Sequence, residues 1–281
     1  DLIAGLPFES FYRFRQSFNE VFSLQADMLQ LGFLKLLQGT TLRKNETHYG
    51  FVYQDHPPYE VLETPHLSFT DVISLKHIEN MLEQYWNNNH FRNTILFSLS
   101  LTAMNPFSYF LALSAHWYQL FDSFRSVSQE DCLNCLCQFL KELHPDDMYL
   151  MEAVVIFDYC RTHQHRSLPV SLRRSWESEA QIMLHDVLRN EKLINQHLPM
   201  LSNLPVKKRL PYGRLIRIPQ GFQLTRQLLA WTESHGSDNN TIEREEKWLL
   251  ILYPPSQEGR AIKSKAIFVE EEFDENPIFK T

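Results

Sequence analysis

Apolar and polar positions near the amino end follow two different periods. The short apolar run at residues 2–4 predicts a strand, and the nearly continuous apolar run at 28–37 predicts a second strand that is buried on both faces. Between them, apolar residues recur three and four apart, which predicts an amphipathic helix: Phe11, Phe14, Phe18, Val21 and Phe22. Because strand, helix, strand is a βαβ unit, we expect residues 2–4 and 29–36 to lie adjacent and parallel, with at least one sheet edge or apolar face open.

From Ser68 onward the pattern is helical for more than a hundred residues. Ser68 is a candidate N-cap, with Asp71 as its capping-box partner. Helices are predicted over 69–87, 90–102, 107–123, 129–143, 147–161 and 171–190. Before them, we expect a short helix at 42–48 and a Pro-rich, aromatic loop at 51–65. No repeat of fixed period is present, which disfavours a helical solenoid.

The last third of the chain predicts strands. These strands cover 214–218, 248–253 and 266–269, with a turn at 254–259 between the last two. Three further segments are predicted as a helix at 222–231, a polar loop at 234–240 and an acidic tail at 270–275. The fold class expected from the whole pattern is α+β, mostly α.

Composition narrows the class of protein. A chain of 281 residues with 43% hydrophobic residues can bury a sizeable core, and its eight glycines disfavour an all-β architecture. No run approaches the about 18 apolar residues that span a bilayer, and no secretory leader precedes the first strand, so we expect a cytoplasmic protein without membrane contact. The net charge of −7 disfavours broad binding to nucleic acid. One stretch is basic and contains Lys207, Lys208, Arg209, Arg214 and Arg217. A solvated strand face is favoured for it over an anion site.

Candidate chemistry outside the amino end is weak. Cys132, Cys135 and Cys137 invite a metal or iron–sulfur reading, but on a helix the third thiol points away from the first two, so buried cysteines that pack as small apolar residues are favoured. His163 and His165 are favoured as helix-end cations over a metal pair. An aromatic stripe predicts core packing first and a partner or cofactor groove second: Phe107, Phe110, Leu111, Ser114, Trp117, Leu120, Phe121 and Phe124. No nucleophile elbow, phosphate-binding glycine loop or His-Glu-x-x-His motif occurs, which leaves a hydrolase or nuclease without support.

The opening segment resembles a known enzyme family. Ile3-Ala4-Gly5-Leu6-Pro7-Phe8-Glu9 is similar to the Ile-x-Gly-Leu-Pro-x-Glu segment that forms the fifth strand and following turn of radical S-adenosylmethionine enzymes. Leu37-Gln38-Gly39-Thr40-Thr41-Leu42 is similar to the Pro-Gly-Thr-Pro-Leu segment that closes the sixth strand, with Gln38 and Thr41 where prolines are frequent. Residues 49–62 and 91–94 resemble the C-terminal part of radical S-adenosylmethionine proteins that have a cobalamin-binding domain and a helical domain of unknown function.

This resemblance implies a division of the chain. Residues 1–50 would be the end of a truncated radical S-adenosylmethionine barrel, 51–67 a linker, and 68–281 a mostly helical accessory domain with C-terminal strands. The cysteine triad of the [4Fe–4S] cluster and the cobalamin-binding domain would lie upstream of Asp1, as partners of this chain in the same protein. The accessory domain would cover the barrel or bind substrate or a partner, and the chain by itself would not be catalytic.

The resemblance also assigns cofactor-binding residues, and it assigns no catalytic or metal-binding residue. Ile3 and Gly5 would lie near the adenine of S-adenosylmethionine, Leu6 and Pro7 would shape the turn, and Glu9 would support the turn structurally. Read from the residues alone, Gly5 is a turn or close approach, Pro7 a first helical position and Glu9 a first-turn acid. The competing hypothesis is a helical interaction or regulatory module without enzymatic activity.

Overall fold

The chain forms two compact units, Asp1–His144 and Pro145–Thr281. The computed structural model describes residues 1–122, 127–164, 167–219, 246–255 and 264–269. Helices dominate the described residues and the sheets are small, which confirms the predicted α+β, mostly α class. Within those ranges, no helix is long and apolar enough to cross a membrane.

The first unit opens with the predicted βαβ unit. Strand β1 (Leu2–Ala4), helix α1 (Phe11–Ser23) and strand β2 (Leu31–Phe33) follow one another. The two strands pair in parallel, with Leu2 opposite Leu31 and Ala4 opposite Phe33. The expected parallel neighbours are therefore confirmed, although β2 is shorter than the apolar run that predicts it.

The second strand ends early because the chain changes its pairing partner after Phe33. The Leu34 amide still donates to Ala4 at 2.9 Å, but the Leu36 amide donates to Tyr59 at 2.9 Å. The Val61 amide in turn donates to Leu34 at 2.8 Å, and residues 35 and 60 form an antiparallel bridge. The apolar residues of this continuation therefore enter a separate small core with Phe51 and Val61.

Short elements fill the region between β2 and the long helices. Helices α2 (Thr41–Lys44) and α3 (Glu46–Tyr49) replace the predicted single helix at 42–48. Strands β3 (Val52–Tyr53) and β4 (Val61–Glu63) then pair antiparallel. The segment predicted as a loop and linker thus contains a small hairpin, and the predicted division points at 50 and 67 fall inside the first unit.

The remaining helices of the first unit follow the predicted order. They are α4 (Phe69–Met81), a π-helical turn (Leu82–Asn87), α5 (Arg92–Ser100), α6 (Pro106–Leu120) and α7 (Gln129–Leu143). The predicted capping box of Ser68 and Asp71 is present at the start of α4. The core joins α1 to this group, since the ring of Phe22 lies 4.4 Å from Trp86 and 5.7 Å from Phe110.

Polar side chains from the helices also hold the βαβ unit. The Asn87 amide group accepts from the Leu29 N–H at 2.9 Å and donates to the Leu29 carbonyl at 3.1 Å, as a neighbouring strand would. Asn19 of α1 accepts from the Phe107 N–H at 2.9 Å, at the start of α6. Arg92 donates to the Ala26 carbonyl. Residues 26–29, which lead into β2, are therefore fixed by side chains of the helices.

The second unit begins with helices and ends with a sheet. Its helices are α8 (Met148–Thr162), α9 (Glu177–Val187), α10 (Glu191–His197) and α11 (Val206–Arg209), with single 3₁₀ turns at Val170–Leu172, Pro199–Leu201 and Leu210–Tyr212. Strands β5 (Gly213–Pro219), β6 (Glu246–Leu252) and β7 (Lys265–Phe268) form an antiparallel sheet in that order. The predicted strands are confirmed. The predicted segments 222–231, 234–240 and 270–275 lie outside the described residues, as does most of the turn at 254–259.

The predicted single helix at 171–190 is wrong. Arg173 has extended backbone angles, and α9 begins only at Glu177. The Glu177 carboxylate accepts from the Arg174 N–H at 2.9 Å, which satisfies one of the amides ahead of the helix. The segment therefore consists of two separate elements, the 3₁₀ turn at Val170–Leu172 and α9.

Two arginines of the basic stretch have partners within the second unit. Arg209 is buried, and its guanidinium donates to the carbonyls of Leu204, Leu188 and Ser202 at 2.8, 3.1 and 2.7 Å. Arg217 makes two contacts with Glu179 at 2.9 and 3.0 Å. The favoured solvated strand face is therefore wrong for Arg209, which is buried and lies on α11, whereas Arg217 lies on β5 and pairs with Glu179.

Candidate functional site

The segment after β1 is a reverse turn. The Glu9 N–H donates to the Leu6 carbonyl at 3.1 Å, which closes a four-residue turn around Pro7 and Phe8. Helix α1 begins two residues later, with Ser10 as its N-cap. Pro7 therefore lies in the turn rather than at a first helical position, and Glu9 is not a first-turn acid of the helix. Both of those interpretations from the residues alone are wrong, whereas the turn itself is as expected.

Gly5 combines a positive φ with a close approach to the hairpin. Its φ is +87°, a region that side chains of L-residues rarely adopt. A Cβ at this position would stand 2.5 Å from Cγ1 of the buried Val61. The glycine is therefore required by the contact between this turn and β4, and its predicted place near adenine stays a prediction.

Glu9 is held inside the turn that it follows. Burial raises the pKa of its carboxyl group, and hydrogen bonds with the backbone of Leu6 and Gly5 partly offset that shift. Its Oε2 atom is buried and has no hydrogen-bond partner among the described residues. The contacts with Leu6 and Gly5 are those of a carboxylate that supports the turn.

One face of the parallel pair lies open next to this turn. Alternation along β1 places Ile3 on the face opposite to Leu2 and Ala4. Ala4 is fully buried, whereas Ile3 is 48% exposed. Gly32 of β2 lies opposite Ile3 in the register, and only the Leu2 carbonyl comes within 4 Å of its missing Cβ. Ile3 and Gly32 together form an accessible strand surface from which few side-chain atoms project. The sequence does not identify Gly32 as part of this surface, because a single glycine inside an apolar run gives no sign of the open face.

Three turns of the first unit meet one another. The first is the turn after β1, the second is the end of α3, and the third is a tight turn at 64–67 that follows β4. Gly50 ends α3 with a φ of +65°, and a Cβ there would stand 2.9 Å from the ring of Pro65. Gly50 therefore allows the end of α3 to approach the turn at 64–67, and Gly5 allows the turn after β1 to approach β4.

Each turn contributes one ring to an aromatic group, which we call the turn cluster: Phe8, Tyr49 and His66. The ring of Phe8 lies 6.1 Å from Tyr49 and 5.9 Å from His66. The Thr64 hydroxyl accepts from the His66 N–H at 3.2 Å and from the Leu67 N–H at 3.0 Å, which fixes the third turn. The cluster is therefore preformed by backbone geometry.

Phe8 is an unusual residue for its position. It has a φ of +65° and it is 63% exposed. The left-handed region costs a residue with a Cβ about 1 kcal/mol, and the third position of such a turn is normally glycine or asparagine. The proline at the second position signals the turn, but no local pattern indicates that phenylalanine occupies the strained position.

The cysteines behave as apolar core residues. Cys132 and Cys135 lie on one side of α7 and are buried, whereas Cys137 is half-buried. Burial raises the pKa of both buried thiols to about 11. Burial also raises the pKa of Cys160, in the second unit, to about 12. Within the described ranges, no group of three or more His, Cys, Asp or Glu side chains is arranged to hold a metal ion.

We expect these thiols to differ sharply in reactivity. A pKa about two units above the ordinary value lowers the thiolate fraction at pH 8 about a hundredfold, and burial slows access further. Titration of the native chain with an aromatic disulfide reagent should modify Cys137 first, and Cys132, Cys135 and Cys160 at least about tenfold more slowly. After denaturation, all four should react alike. Equal rates for all four thiols in the native chain would contradict the burial of Cys132, Cys135 and Cys160.

The aromatic stripe of α6 packs in the core. Phe107, Phe110, Ser114 and Trp117 are buried, whereas Leu120, at the end of the helix, is 44% exposed. Phe18 of α1 faces the stripe, with its ring 5.5 Å from Phe107. Phe124 lies outside the described residues. The stripe follows the favoured core interpretation along the part of the helix that is described.

The central part of the chain matches a protein family. A family described as "Protein of unknown function (DUF4080)" matches residues 47–212, which is more than half of the chain. The match begins within α3 and ends just before β5, so it includes two members of the turn cluster, Tyr49 and His66, and excludes β1 and β2. No curated protein matches the chain.

Proposed function

Since the chain belongs to the DUF4080 family of proteins of unknown function, we propose that it is the C-terminal region of a radical S-adenosylmethionine enzyme of the cobalamin-binding type. The observation that carries the proposal is the parallel pair of β1 and β2, with its Gly-Leu-Pro-x-Glu turn and an open face at Ile3. A parallel pair with one bare face needs further strands and a cover to become stable, as in a barrel.

Of the cofactors of such an enzyme, the residues of this chain fit the adenine of S-adenosylmethionine. Ile3 and Gly32 offer a flat, apolar, accessible surface of the kind that receives a planar base, and Glu9 steadies the turn beside it. In this proposal Ile3 contacts the adenine, while Gly5, Leu6, Pro7 and Glu9 hold the turn in the required shape.

The described residues do not fit the iron–sulfur cluster. Cys132 and Cys135 are buried and have raised pKa values, so they do not offer accessible thiolates. The proposal therefore places the cluster ligands and the cobalamin site in residues upstream of this chain. When bound there, those groups supply reductive cleavage of S-adenosylmethionine and radical or methyl transfer, and this chain supplies part of the cofactor surface.

The helices have a structural function in this proposal. They fix the residues before β2 through Asn87 and Arg92 and bury α1 in a shared core. The first unit then acts as one body, in which the helices hold the last strands of the barrel in register.

A binding experiment on the longer protein tests the proposal. Changing Ile3→Ser should weaken S-adenosylmethionine binding about fivefold to tenfold, because part of an apolar contact is lost. Leu24→Ser is the matched control, because Leu24 is 75% exposed at the end of α1, and it should leave the affinity unchanged. Isothermal titration of the anaerobically reconstituted protein measures both. An unchanged affinity in Ile3→Ser would remove the cofactor role of this strand, and a protein that binds no S-adenosylmethionine would favour an interaction module.

A further inference from the structure

We propose that the turn cluster of Phe8, Tyr49 and His66 is a substrate subsite that receives a planar aromatic ring, with Phe8 as the specificity-determining residue. The inference rests on the proposed function, because it takes the carboxyl end of β1 as the substrate side of a barrel. It goes beyond the cofactor surface, since none of the three residues belongs to the strand face at Ile3.

The position of the cluster is the first argument. Phe8 lies four residues after the last residue of β1, in the turn that leaves the carboxyl end of that strand. In parallel α/β barrels, the segments that follow the strands bind the substrate and the strands themselves provide the rigid support. A large exposed aromatic side chain at this place is therefore in the region where substrate contacts occur.

The backbone of Phe8 is the second argument. A phenylalanine chosen for stability would not be expected at a φ of +65°, where asparagine or glycine is less strained. Its ring is also 63% exposed, so burial gives little in return. Strained residues of this kind occur where the side chain is needed for binding. The turn keeps Phe8 at a cost to stability.

The third argument is the chemistry of the three rings. Phe8 meets Tyr49 nearly edge to face, with an interplanar angle of 72°, and meets His66 at 51°. Such an arrangement leaves ring faces and edges of differing orientation available to another aromatic ring. None of the three side chains carries a permanent positive charge that would bind an anion, and their ring edges and faces offer the contacts that another aromatic ring makes.

Variants of Phe8 separate binding from stability. In the full chain, Phe8→Asn keeps a Cβ, tolerates the left-handed backbone and removes the ring, whereas Phe8→Ala removes the ring and keeps the strain. We expect Phe8→Asn to unfold no more readily than the wild type and less readily than Phe8→Ala. Indole is the probe: the wild type should bind it in about the millimolar range, and Phe8→Asn should bind about fivefold more weakly or not at all.

Two further variants serve as controls. Phe8→Tyr restores a ring and should bind indole within about twofold of the wild type. Tyr12→Asn removes a ring that is 64% exposed on α1, outside the cluster, and should leave indole binding unchanged. Line broadening and chemical-shift changes of indole in nuclear magnetic resonance titrations, with thermal unfolding of each variant, provide the two readouts.

Three outcomes would overturn the inference. A clear loss of stability in Phe8→Asn would make Phe8 a packing residue, and unchanged indole binding in a stable Phe8→Asn would remove the subsite. Displacement of indole by S-adenosylmethionine would assign the cluster to the cofactor instead of the substrate. These readouts use the chain itself and no cofactor cleavage, so a failure of the proposed enzyme activity is distinguished from a failure of this subsite.

Discussion

Replacing Arg209 by methionine is expected to destabilise the second unit by about 4 kcal/mol, because a buried charge network is removed and its acceptors stay behind. The guanidinium donates to three backbone carbonyls, of Leu188, Ser202 and Leu204, and lies 2.9 Å from the carboxylate of Glu191. Methionine has a similar volume but no donor. The buried Leu188 carbonyl and the part-buried carbonyls of Ser202 and Leu204 then lose their donor.

Hydrogen exchange with mass spectrometry measures this effect locally, which suits a chain of two units. In Arg209→Met, amides at 188–209 should exchange through openings that are more than about a hundredfold more frequent, while amides of the first unit should keep their rates. Arg189→Met is the control, because Arg189 is 62% exposed and pairs with Asp186 three residues earlier, so it should cost less than about 0.5 kcal/mol. Similar exchange in both variants would show that the carbonyl network does not hold this segment.

Replacing Gly5 by alanine is expected to destabilise the first unit by about 3 kcal/mol, for two reasons that add. The backbone at φ +87° costs an alanine about 1 kcal/mol, and the new methyl group would stand 2.5 Å from Cγ1 of Val61. Val61 is fully buried in the small core with Leu36 and Phe51, so the contact is relieved only by moving packed atoms, at about 1–3 kcal/mol.

Gly39→Ala separates the two causes. Gly39 has a nearly identical φ of +85°, and a Cβ there meets no atom within 4 Å. It should therefore show the backbone cost of about 1 kcal/mol without the packing cost. Urea unfolding of both variants gives the comparison. If Gly5→Ala were no less stable than Gly39→Ala, the close contact between the turn and β4 would not exist in solution.

Local sequence signals predicted the elements that depend on them. Helix α7 has the predicted bounds, because Ser128 caps its start and its apolar residues keep helical spacing to Leu143. The three strands of the second unit were visible as apolar runs between turns. The parallel pair was expected because a strand, helix, strand order allows little else.

Features that depend on distant contacts were not predicted. Strand β2 ends early because residues 34–36 pair with 59–61, and nothing within the apolar run encodes that change of partner. The break before Glu177 depends on a side chain that bonds an amide three residues earlier. The turn cluster unites residues about forty and sixty positions apart through glycines whose need is visible only against Val61 and Pro65. The turn after β1 was therefore predicted from sequence, and the aromatic cluster to which it contributes was not.

The most direct test of the proposed function is formation of 5′-deoxyadenosine by the longer polypeptide that this proposal requires. The protein would be purified anaerobically, reconstituted with iron and sulfide, and incubated with S-adenosylmethionine and a strong reductant, with liquid chromatography and mass spectrometry as the assay. The account predicts 5′-deoxyadenosine that depends on the reductant and falls in Ile3→Ser but not in Leu24→Ser. Absence of that product from a protein shown to have incorporated its cluster would contradict the account.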